Sequence, residues 1–154
     1  MNNSENGQSI VEVIIATVIT SMILVGLISA ITYSLSNSQF AKNKALANKH
    51  GQEAIEWLRA QRDISGWTLF YGPNNLLSRT HCINSFPATI TSLYSQPTGN
   101  CTAGTVITGT IFTRQVQFIG HASGDRISIK ITLLWPQGKN TSTISLDTFL
   151  TRWQ

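Results

Sequence analysis

Few residues in this chain have both the type and the setting to do chemistry. The first is Glu12, the only formal charge in "GQSIVEVIIATVITSMILVGLISAI", a run that starts at Gly7. No Asp, Glu, Lys or Arg follows it from Val13 to Ala41. An ionised carboxylate in hydrocarbon costs roughly 2.5–3.5 kcal/mol on insertion scales. Glu12 therefore needs a partner of opposite charge, or it must snorkel to the headgroup layer from near a helix end. The second candidate is the pair Cys82 and Cys101, with no CxxC spacing and no His-Cys cluster beyond the adjacent His81. They lie in sequence rich in Pro, Asn, Ser and Thr, where a disulfide in an exported head fits; the other reading is two unrelated buried thiols. Closing a loop of about twenty residues stabilises by ~3 kcal/mol in the chain-entropy model.

The remaining reactive types point away from catalysis. His50, His81 and His121 are scattered, with no acidic or Cys cluster at ligand spacing, so neither a metal site nor a cofactor is expected. Ser, His and Asp all occur, but without GxSxG or a comparable nucleophile context. No catalytic residue is assigned, and no enzyme activity is expected. Arg114, Arg126, Lys130 and Arg152 do not form a tract, which weighs against a nucleic-acid surface. Trp67, Phe70 and Tyr71 in "GWTLFYGPNN" read as cover for a core or a sheet edge, with an adhesive patch as the alternative. Asn100 and Asn140 match the glycosylation sequon, a pattern short enough to arise by chance.

These residues need elements to hold them. Ile10 to Ile31 is long enough to cross a hydrocarbon core of about 30 Å at 1.5 Å per residue. The preceding "MNNSENG" has no Lys or Arg, and the apolar run is too long for a secretory signal. All eleven Lys and Arg lie at or after Lys42, against only Glu53, Glu56, Asp63, Asp125 and Asp147. By the positive-inside rule this distribution favours a cytoplasmic C-terminal part; the cysteine pair favours an exported one.

No Pro occurs before Pro73, and helix formers continue past the apolar run. Ala47, Gly51, Ile55 and Leu58 recur at helical spacing, so one helix is expected from Ser9 to about Asp63, roughly 80 Å long. Gly26 and Gly51 are its weak points. Turn chemistry then dominates from Ser65 to Gly104, with room for one short strand. Three alternating runs follow, "TGTIFTRQVQFIG", "DRISIKITLLWP" and "NTSTISLDTFLTRW". Ile127, Ile129, Ile131 and Leu133 share one face of the second run, and Ser128, Lys130 and Thr132 the other. The dry face needs a cover, and the helix stripe supplies it. The chain's 154 residues allow one such head plus an anchor. The expected fold is α+β: a long N-terminal helix whose second half packs on a C-terminal antiparallel meander of about three to four strands.

The stretch "GQSIVE" before an uncharged apolar run resembles the prepilin signal of type IV pilins and pseudopilins. "ALANKHGQEAIEWLRAQRD" and "STISLDTFLTRW" look like the minor pilins of the PilV type and their pseudopilin relatives. The resemblance spans nearly the whole chain and is strongest at its ends. It implies a leader over 1–7, cleavage between Gly7 and Gln8 by a membrane prepilin peptidase, and Gln8 as a candidate for N-methylation. It divides the rest into a transmembrane assembly half of the helix (8–35), an amphipathic half (36–64), a loop region with a disulfide (65–104) and a sheet (105–154). The partners implied are other pilin subunits in a helical filament, a membrane assembly platform, and the lipid bilayer before assembly. The location implied is a bacterial membrane, single-pass with a cytoplasmic N-terminus, then a periplasmic or extracellular filament.

In that setting Glu12, the fifth mature residue, pairs with the N-terminal ammonium of a neighbouring subunit and pins the register. Three features depart from the pattern: a leader without basic residues, Gln8 where an aromatic or Met is common, and Ser29 where many major pilins carry a proline. The last two favour a minor subunit over a major one. A signal-anchored surface module that never polymerises, and a nucleic-acid-binding tip subunit in DNA uptake, are the competing readings.

Overall fold

The computed structural model describes residues 10–71, 79–96, 98–99, 101, 105–121 and 123–152. The chain forms two compact units, Met1–Ala41 and Lys42–Gln154. Helix α1 (Ile10–Tyr71) supplies the described part of the first unit and the opening of the second.

In the first unit the helix is apolar and unburied. An 18-residue stretch has a mean hydropathy of 2.5 and none of it is buried. By length and composition it can span a membrane. Its hydroxyls are satisfied at home: Thr17 Oγ1 donates to the Ile14 carbonyl, Thr20 Oγ1 to Ala16, Ser21 Oγ to Val18 and Ser29 Oγ to Val25, each at 2.8–2.9 Å. Such back-bonding hides polar groups that hydrocarbon would otherwise strand.

In the second unit α1 packs on a four-stranded antiparallel sheet, an α+β arrangement as expected. The strands are β1 (Thr80–Cys82), β2 (Thr113–Gly120), β3 (Arg126–Gln137) and β4 (Asn140–Thr151), in spatial order β1-β2-β3-β4. The β3–β4 hairpin closes through a two-residue turn, with Gln137 opposite Asn140 and Gly138 at φ 61°. Period-two alternation buries Ile127, Ile129, Ile131, Leu133 and Trp135 under the helix, while Ser128, Lys130 and Thr132 face outward. Each such buried aliphatic contributes about 1.5–3 kcal/mol. On the outer face Lys130 stands opposite Asp147, a cross-strand pair of opposite charge.

The stripe that meets the sheet is Ala47, Gly51, Ala54, Leu58 and Gln61. Ile55, expected within it, is only half-buried, because the 4-3-4-3 spacing passes through Ala54 instead. Gly51 is a contact point and not simply a weak one: a Cβ there would lie 2.7 Å from Leu146 Cδ1 and 3.2 Å from Leu133 Cδ2. The expected end near Asp63 is a kink at Gly66 (φ 74°, ψ 159°), after which α1 resumes to Tyr71. The resumed turn brings Trp67 Nε1 to the Gly124 carbonyl (2.9 Å) and the Tyr71 hydroxyl to the His121 carbonyl (2.7 Å). Phe70 is fully buried, edge-on to Phe118. The aromatic cluster therefore covers the β2–β3 end of the sheet.

The region expected to be loop carries more core than its turn chemistry suggests. Ile83, Ile90 and Leu93 are fully buried, and Thr91–Ser95 forms a 3-10 turn. Phe86 stacks on Trp57 of the helix at 5.5 Å.

Candidate assembly site

Glu12 lies on α1, three residues into the described part of the helix. Among the described residues nothing pairs with it. The surface beside it is built from Val13, Ala16, Thr17, Thr20, Ser21 and Leu24. Four of these six are small, and their hydroxyls are already occupied, which lets a second helix approach closely. Gly7 and Gln8, the expected processing positions, lie outside the described residues. Glu12 is thus the one acid on the exposed apolar stretch Ile10–Ile31, and no described residue neutralises it.

The head brings Cys82 and Cys101 together in a disulfide, with Cα atoms 5.6 Å apart. This ties β1 to the segment ahead of β2, across nineteen positions of chain. The three histidines are separate. His50 Nδ1 meets Glu53 Oε2 at 2.9 Å, His121 Nε2 meets Ser128 Oγ at 2.8 Å, and His81 is buried on β1 edge-on to Phe118. No group of three or more His, Cys, Asp or Glu at metal-binding distance occurs among the described residues.

Of the four cations considered for a nucleic-acid surface, Arg114 is not on the surface at all. It is 1% exposed, with Nη1 donating to the His50 carbonyl at 3.2 Å and the guanidinium 4.0 Å over the Phe86 ring. Burial lowers its pKa to about 10, opposed by the nearby Glu53 carboxylate, so it stays charged at neutral pH. A cation held by a helix carbonyl and an aromatic face locks β2, the helix and the 79–96 segment together. The signal was available: in β2, Arg114 has the same parity as Val116 and Phe118. The close approach at Gly51 had no comparable signal, since a glycine in a helix reads first as a propensity defect.

With this geometry in place, comparison with protein-family models, with curated proteins and with solved structures finds no match.

Proposed function

We propose that this chain is a non-enzymatic minor subunit of a type IV pilus or a pilus-like filament of the type II secretion or competence class. In this reading it is made as a single-pass membrane protein with a cytoplasmic N-terminus. It is cleaved between Gly7 and Gln8, then drawn into a helical filament through its first helical half. The observation that carries the reading is Glu12: the lone acid of the apolar stretch Ile10–Ile31, whose side chains are exposed, in a chain whose head has a separate core. Pairing with the ammonium of a neighbour's Gln8 would offset the charge in low dielectric.

A plain membrane anchor would present the same helix, so the test must separate the two. Intact mass of the protein purified from membranes of cells carrying the assembly machinery does so. Loss of "MNNSENG" supports the filament reading. A retained leader returns the chain to an anchored surface module.

A further inference from the structure

We propose that His81 is an acid-sensitive latch, whose protonation releases β1 and the segment Thr80–Leu93 from the head while the Cys82–Cys101 disulfide keeps that segment tethered. His81 is 1% exposed, and neither Nδ1 nor Nε2 has a hydrogen-bond partner. It faces Val116 across the β1–β2 pairing and the edge of Phe118 at 6.0 Å, and bridges to Thr98 on its other side. None of these can stabilise an imidazolium. The charge that acts on it is Arg79, of the same sign. On β2, Arg114 is also cationic and is committed to the His50 carbonyl and Phe86. The helix carboxylates are engaged elsewhere, Glu53 by Lys49 and His50, Glu56 by Arg59 and Asp63 by Arg62.

Burial first, and Arg79 second, depress the folded-state pKa of His81 below its ordinary 6.5. An opened segment would take the proton at that ordinary value. The closed state therefore has its full stability above about pH 6.5 and loses it as pH falls from there toward the depressed value. The strand being released is the weakest of the sheet, with three residues in register against β2. Its release exposes Ile83, Ile90 and Leu93 and undoes the Trp57–Phe86 stack. The disulfide limits the excursion and favours reclosure when the pH is restored.

The test uses full-length protein in nonionic detergent. Hydrogen exchange of the His81 and Ile83 amides, which by strand alternation face β2, is followed from pH 8 to pH 5, each rate divided by its intrinsic rate at that pH. Below pH 6.5 their protection should fall by up to about tenfold per pH unit, the slope for one proton, and His81→Phe should hold it flat. Unchanged protection in the wild type, or an equal fall in the variant, would overturn the latch. Should His81→Phe not fold, the His81 ring resonance in the wild type decides: it titrates below 6.5 if the latch exists, and a titration at 6.5 or above contradicts it.

Discussion

The two units of this chain treat polar groups in opposite ways. From Ile10 to Ile31 every hydroxyl folds back on its own helix, apolar side chains such as Met22 stand 73% exposed, and Glu12 is left over. In the head, polar groups reach across elements: Arg114 to the His50 carbonyl, Trp67 to Gly124, Tyr71 to His121. Along Ile10–Ile31 the hydroxyls are satisfied locally and no described residue covers the apolar surface. In the head the polar groups knit distant segments of the chain together. Changes in the head should therefore register as stability, and changes along the first helical half as association.

Leu58→Ala makes the largest break in the head. It empties a fully buried site between helix and sheet, and denaturant unfolding in detergent should show a loss of 2–5 kcal/mol. Leu24→Ala, on the exposed helix, should leave that midpoint where it was; a comparable loss from both would dissolve the distinction between the units. Cys82→Ser comes next, at up to about 3 kcal/mol. Proteolytic fragments mapped by mass should arise first between Arg79 and Cys101, and a uniform cleavage pattern would show that the staple does not act locally. Gly51→Ala should cost about 1–3 kcal/mol, because its Cβ meets Leu146 and Leu133. A variant more stable than wild type would mean that helix propensity outweighs the close approach. Smallest is Thr20→Val, which removes a hydroxyl bonded only to its own helix; the head's unfolding midpoint should move by less than about 0.5 kcal/mol.

Much of the head was legible in the sequence. The parity of Ile127, Ile129, Ile131 and Leu133 marked the dry face, and that of Ser128, Lys130 and Thr132 the wet one, because a strand's period of two survives any tertiary context. The disulfide was legible from the composition around Cys82 and Cys101. The buried role of Arg114 went unread because charge was weighed before strand parity. Ile83, Ile90 and Leu93 were missed for a different reason: isolated apolar residues among turn formers have no period, and only the folded segment brings them onto one core. At the other end of the chain, Glu12 was conspicuous because hydrocarbon makes any charge costly. No described residue pairs with it, and on the proposed reading its partner is a neighbouring subunit, which no pattern within one chain registers.

The central claim is that Glu12 acts in assembly and not in folding. Its most direct test is Glu12→Val, read as sheared-fibre yield against membrane-fraction yield in cells that make the rest of the machinery. Insertion should be unchanged or improved, since one carboxylate fewer enters lipid, and cleavage after Gly7 should persist. Incorporation into fibres should fall sharply, because a neighbour's ammonium is then buried unpaired at a cost of roughly 3–5 kcal/mol. Equal incorporation of mutant and wild type would contradict the register-pin account and leave Glu12 as a snorkelling carboxylate; disappearance from the membrane fraction would place its role in insertion or folding instead.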